Sequence, residues 1–251
     1  MKKFFITSIL MLCATAYALA CGGGWPTYNY YMFSVLDYEY HPLDTNTDIF
    51  WQKYSGGAVE EFDGEALMDI ARKRGDKETQ NYLTLLQDYL DASGANDSPW
   101  DYPSKEELTR RNQVLSKIFN ATNAYIGSRY QMQYALLKMR ANRALKRHAE
   151  NITYWKQTAS HFAASALRNR MEGIYAGALL KTGKRNEACE IFASLGDEES
   201  IKWVARHYCN VAGIRSFYAK DPNSPMLPYL VQRFVNNAQE NLDTRNEFGS
   251  V

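Results

Sequence analysis

Glu60, Glu61, Asp63 and Glu65 form the densest acidic cluster in the chain. Two carboxylates from such a group have the chemistry for glycoside cleavage, one as proton donor and one as base or nucleophile. The same residues suit the approach to a helix amino terminus, where peptide dipoles favour negative charge, and this is the stronger reading. His41, His148, His161 and His207 are scattered, with no cysteine or carboxylate at ligand spacing. Isolated histidines of this kind are ordinarily surface or satisfied core residues. The chain contains no Gly-x-Ser-x-Gly, His-Glu-x-x-His, phosphate-binding Gly-x-x-x-x-Gly-Lys or dinucleotide fingerprint. It also lacks an aromatic-flanked Glu-Ser of the lytic transglycosylase type. The sequence therefore assigns no catalytic residue, no metal ligand and no cofactor.

The amino terminus carries an address rather than a reaction. Met1-Lys2-Lys3 is a short positive start, Phe4 to Leu19 is apolar apart from Thr7, Ser8 and Thr15, and Ala18-Leu19-Ala20 places small residues where a signal peptidase reads. Residues 1–20 thus have the layout of a secretory signal peptide, and the apolar run is short for a membrane span. Cleavage after Ala20 would expose Cys21. Ala18-Leu19-Ala20-Cys21 resembles a bacterial lipobox, with Gly22-Gly23-Gly24 as tether, although Leu19 stands where a small residue is usual. Ordinary cleavage and lipidation of Cys21 are both left open. Either reading places the protein in the periplasm or at the outer membrane.

Removing the signal leaves three cysteines, Cys21, Cys189 and Cys209. An odd count in an oxidising compartment implies that one has a separate fate. Lipidation of Cys21 would leave Cys189 and Cys209 as a candidate disulfide across an antiparallel helix pair, and two buried thiols are the alternative.

Bulk charge excludes little. The 251 residues carry a formal charge of +1, with 45% hydrophobic and 23% charged residues, ordinary values for a folded chain. Distribution is more informative. Residues 36–101 hold 15 acids against 5 bases, whereas residues 129–170 hold nine bases against Glu150 alone. Two readings follow. The acidic front half could dock on the basic middle, or the basic run could form a concave face for an anionic glycan, a lipid headgroup or an acidic peptide. Tyr130, Arg140, Arg143 and Arg147 are the candidate contacts of such a face. Nucleic acid fits neither the motifs nor an exported protein. The tyrosine-rich segment 28–40 either covers a helical core or offers rings for binding.

Hydrophobic spacing supplies the elements that position these groups. The segment 21–57 is aromatic-rich and irregular, with one short helical turn around Phe50, Trp51 and Tyr54 closed by Gly56-Gly57. Across 58–103 a helical pair is expected, carrying Leu67, Ile70 and Ala71 and then Tyr82, Leu85, Leu86, Tyr89 and Leu90, followed by a Pro-containing loop. Ser104 with Glu107 fits a capping box. No proline occurs between Ser104 and Asp221, which implies long helices joined by short turns. Asp197 is expected to open a helix bearing Ile201, Val204, Ala205, Tyr208 and Val211 on one side. Ser224-Pro225 should start a last helix with a Leu227, Val231, Phe234 and Ala238 stripe, and 243–251 reads as a tail.

Within this run, Tyr175 to Phe192 has a small-residue helix ending at Lys181-Thr182-Gly183, then Ala188 and Phe192 on the next helix. These residues resemble the tetratricopeptide repeat: Gly183 at the inter-helix turn, Ala188 at the small packing position, Phe192 at the aromatic position. A fainter copy lies upstream, with Trp155 thirty-seven residues before Phe192 but without the turn glycine or packing alanine. The resemblance spans roughly residues 125–242. The combination is also similar to secreted helical-repeat proteins of Bacteroidetes-type bacteria, on Ala20-Cys21-Gly22 and Ser98-Pro99-Trp100-x-Tyr102-Pro103. It implies an all-α fold, an α-solenoid of helix–turn–helix units over 104–242, and a non-catalytic scaffold for a protein partner in the cell envelope. The competing expectation is an envelope glycan-binding lipoprotein or glycan-processing enzyme. Because many proteins of this kind are longer and the last helix keeps an apolar face, a truncated solenoid or a packing partner for that face is also expected.

Overall fold

Side-chain caps divide this chain into helices. Asp63 accepts from the backbone N–H groups of Glu65 and Ala66, Asp76 from Thr79, Ser165 from Arg168, Asp197 from Ser200 and Asn210 from Gly213. Each satisfies donors that a helix start leaves without partners. Ser104 and Glu107 form the full reciprocal capping box. The acidic cluster near Asp63 thus serves as a helix start, as the dipole argument expected.

The computed structural model describes residues 43, 46–93 and 103–248, with side chains described as far as residue 241. The signal segment, Cys21, the tyrosine-rich segment 28–40 and residues 98–102 lie outside the described residues. Among the described residues there are eleven α-helices and no strand. They are α1 (Asp48–Ser55), α2 (Gly64–Lys73), α3 (Lys77–Ala92), α4 (Lys105–Ala124), α5 (Gln131–Ala144), α6 (His148–Gln157), α7 (Ala166–Lys181), α8 (Arg185–Leu195), α9 (Glu198–Val204), α10 (Val211–Lys220) and α11 (Met226–Phe248). Short 3-10 turns follow α6 and α9. The fold is all-α, and no helix among the described residues is long and apolar enough to cross a membrane.

The chain divides into two units, residues 36–231 and a second made of 1–35 with 232–251. Of the second, only the end of α11 is described. There the helix runs on to Phe248, into the stretch expected to be a tail, and Asn241 Nδ2 donates to the Asn237 carbonyl at 2.7 Å.

In the 36–231 unit each helix from α1 to α9 packs on its neighbour in the chain, and alternate helices also meet: α3 touches α5, and α5 touches α7. The interior has two apolar clusters. One gathers Trp51, Leu67, Tyr82, Leu86, Ile118, Tyr130 and Tyr134 from α1 to α5. Its centre is a stack of rings, with Tyr82 and Tyr130 at 5.5 Å and 9° and Trp51 and Tyr82 at 6.0 Å and 21°. The other gathers Met139, Trp155, Met171, Tyr175, Leu179, Ala188 and Phe192. Of the residues singled out for repeat packing, Trp155, Ala188 and Phe192 take part here and Gly183 does not. Trp155 stacks on Tyr175 at 5.4 Å, Ala188 is fully buried and Phe192 is 5% exposed.

The helices turn back on one another through a shared device. Gly183 has φ +85°, and Lys184 N donates to the Leu179 carbonyl at 2.9 Å. Thirty-seven residues earlier, Lys146 has φ +60°, and Arg147 N donates to the Asn142 carbonyl at 2.8 Å. Lys146 therefore occupies the turn position that seemed to lack its glycine, and Asn151 occupies the position of Ala188. Sequence inspection missed this correspondence because lysine rarely adopts the left-handed region.

Three expectations are corrected. The helix opened by Asp197 ends at Val204, so Val211 is not on its buried side but 46% exposed at the start of α10. The chain path after the break requires glycine at 213: a Cβ there would lie 2.2 Å from the Tyr208 carbonyl oxygen. On α11 the buried face within the 36–231 unit is Met226, Tyr229 and Leu230, rotated from the expected stripe, with Leu227 only partly buried. Third, Cys189 and Cys209 are not bonded to each other. Cys189 is a fully buried thiol whose pKa burial pushes up to about 11, and Cys209 Sγ reaches the Ala205 carbonyl at 3.5 Å.

The turn geometry makes opposite predictions for two residues. Lys146→Gly relieves a left-handed lysine and should stabilise the protein by about 1 kcal/mol. Gly183→Ala should destabilise it by about 1 kcal/mol or more, because alanine is strained at positive φ. Urea denaturation followed by circular dichroism measures both.

Candidate functional site

The four candidate contacts separate in the structure. Tyr130 is fully buried, its hydroxyl 2.5 Å from Thr79 Oγ1 and its ring between Tyr82 and the Arg129 guanidinium. It is a core residue, not a surface contact, because it closes the ring stack where α5 begins. Arg147 lies over the Phe119 ring at 5.0 Å and pairs with Glu150 at 3.9 Å. It is anchored away from the concavity described next. Arg140 and Arg143 do line that concavity.

It is a cleft of about 1770 Å³ within the 36–231 unit. The wall from α5 presents Leu136, Arg140, Arg143 and Ala144, one face at helical spacing. The wall from α7 presents Arg170, Gly173, Ile174, Gly177 and Lys181. Leu195, Gly196 and the start of α9 also line it, as do Tyr89, Ser93 and Arg111. The α7 wall is open at its two glycines. A Cβ at Gly177 would meet nothing within 4 Å, and one at Gly173 only Leu195 Cδ1 at 3.8 Å.

The electrostatics of the cleft follow from which cations find partners elsewhere. Of the nine bases between 129 and 170, Arg129 reaches the acidic front half, bonding Asp76 at 2.9 Å. Lys138 sits over Tyr154 at 4.1 Å, and Arg168 over Trp155 at 5.4 Å and near Glu172 at 3.7 Å. Arg140, Arg143, Lys146 and Lys181 make no ion pair with any described residue. Docking of the acidic half on the basic middle thus accounts for Arg129 and leaves the cleft basic.

Burial lowers the Arg140 pKa, partly offset by Tyr82 and Tyr89, whose ring lies 5.9 Å from the guanidinium. Burial, then the charges of Lys181, Arg143 and Lys146, holds His148 below its ordinary 6.5. Across the cleft the acids are already engaged: Asp197 caps α9, and Glu198 and Glu199 hold Lys202 at 3.3 and 3.1 Å. Asn151, also in the cleft lining, is fully buried. Its Nδ2 donates to the Met139 carbonyl at 2.9 Å, while its Oδ1 has no protein partner.

This arrangement can bind anions. Among the described residues no group of histidine, cysteine and carboxylate side chains is arranged to hold a metal ion. Glu60 and Glu65 are exposed and are not among the residues that line the cleft. Lys146, Lys181 and His148 are site residues that sequence reasoning did not single out. The thirty-seven-residue spacing of Lys146 from Gly183 was the signal that could have drawn attention to the first. Comparison with protein-family models, with curated proteins and with solved structures found no match to this chain.

Two outcomes check this description. Tyr130→Ala should cost about 3–5 kcal/mol in urea denaturation, as for a buried aromatic and unlike a surface contact. His148 should titrate below 6.5 by NMR, and Arg143→Gln with Lys181→Gln should raise its pKa. A depressed histidine binds its proton more weakly folded than unfolded, so its contribution to stability falls as pH drops below 6.5. His148→Asn should remove that part of the acid sensitivity.

Proposed function

We propose that the protein is an exported, non-catalytic scaffold of the cell envelope, an α-solenoid of tetratricopeptide-like units whose cleft binds an acidic partner protein. The observation that carries this reading is the group Arg140, Arg143, Lys146 and Lys181, brought to one cleft from α5, the turn after it and α7, with no ion pair to any described residue. Gathering like charges costs free energy in the isolated molecule, and an acidic partner turns that cost into attraction and faster encounter. The repeat reading is supported by the thirty-seven-residue correspondence of Lys146 with Gly183 and Trp155 with Phe192. It is also supported by the alternate packing of α3, α5 and α7. Export rests on the pattern of residues 1–21, with Cys21 as the lipidation candidate.

Affinity capture from envelope extract tests the function. Wild-type protein should retain a defined partner that elutes with salt, and Arg143→Glu with Lys181→Glu should lose it while circular dichroism stays unchanged. Equal retention by the double variant would remove the cleft from the function. Retention of glycan in place of protein would overturn the scaffold reading.

A further inference from the structure

The cleft already has one main-chain bond in it. Leu43 and Asn46 line it, and Leu43 N donates to the Leu195 carbonyl at 2.9 Å. That carbonyl is at the end of α8, where helix geometry leaves the last C=O groups without internal donors. The left-handed cap at Gly196 satisfies Ala193 and Phe192, but not Leu195. One end of the cleft therefore offers a carbonyl that takes a backbone N–H, and the α5 and α7 walls offer cations that take carboxylates. In the sequence, Leu43 is flanked by Glu39, Asp44 and Asp48.

From this juxtaposition we infer that the cleft is a peptide site. It takes an acidic segment of a partner chain by its main chain at Leu195 and by its carboxylates at Arg140, Arg143 and Lys181, in competition with the chain's own Leu43. The inference rests on the reading of the cleft as the partner face. It adds the chemical class of what binds, a peptide segment rather than a folded acidic surface or an anionic glycan. The open α7 wall at Gly177 leaves room for a backbone and its side chains.

The test is fluorescence anisotropy on the full chain with a labelled peptide of the sequence of residues 36–48. A counterpart with Asn and Gln in place of Asp and Glu, and labelled tetragalacturonate, serve as controls. The acidic peptide should bind, and the neutral counterpart should bind about tenfold more weakly. Arg143→Gln, an exposed position that leaves the core untouched, should cause a similar loss. Leu43→Pro removes the competing N–H, so it should tighten binding several-fold. Equal binding of the neutral peptide, tetragalacturonate binding as tightly as the peptide, or no effect of Leu43→Pro would each overturn the inference. If the peptide fails to bind while Arg143→Glu with Lys181→Glu still loses the captured partner, this inference falls and the scaffold reading stands. If the peptide binds but capture is indifferent to those charges, the scaffold reading falls instead.

Discussion

A chain reversal that needs one left-handed residue underlies this structure. At Gly75, Lys146, Gly183 and Gly196 the backbone takes positive φ directly after a helix. In each case the following N–H donates five residues back, from Asp76 to Ala71, Arg147 to Asn142, Lys184 to Leu179 and Asp197 to Phe192. Each reversal satisfies carbonyls that the helix end would otherwise leave bare and starts the next helix within two residues. Because the turns are short and alike, alternate helices come to lie against each other, and α5 and α7 can form two walls of one cleft. At Lys146 the reversal is kept although lysine disfavours it, and the side chain becomes part of the basic wall.

Charge in this protein is sorted by aromatic rings as much as by ion pairs. Arg129, Lys138, Arg147 and Arg168 each lie over a ring, where the negative face of the π system offsets the charge. Arg140 has a more distant ring, Tyr89, while Arg143, Lys146 and Lys181 have neither ring nor acid among the described residues. The basic run is thus divided between cations that hold helices together and cations that remain available to a ligand. Burial, and then its positive neighbours in the cleft, lower the pKa of His148.

Much of the helical framework was readable beforehand. Asp63, Ser104, Asp197 and Ser224 mark helix starts, and Gly56, Gly75 and Gly183 mark ends, because caps and left-handed turns depend on residues a few positions apart. Trp155, Ala188 and Phe192 were legible as packing positions for the same reason. The chain path after the break at Val204 was not legible, because it depends on how closely Gly213 approaches Tyr208. Nor was the buried face of α11 within the 36–231 unit, where neighbouring helices select Tyr229 and Leu230 over the stripe that periodicity suggested.

The candidate site divides along the same line. A surplus of bases between 129 and 170 is a property of the sequence alone, as are the all-α fold and the places where most helices begin. Which bases face a ligand was decided by the tertiary structure. Tyr130 went into the ring stack and Arg147 onto Phe119, while Lys181, far along the chain, joined Arg140 and Arg143. The physical reason is range: caps, turns and helical periodicity act over about four residues, whereas burial, ring contacts and a shared cleft depend on helices that are distant in sequence.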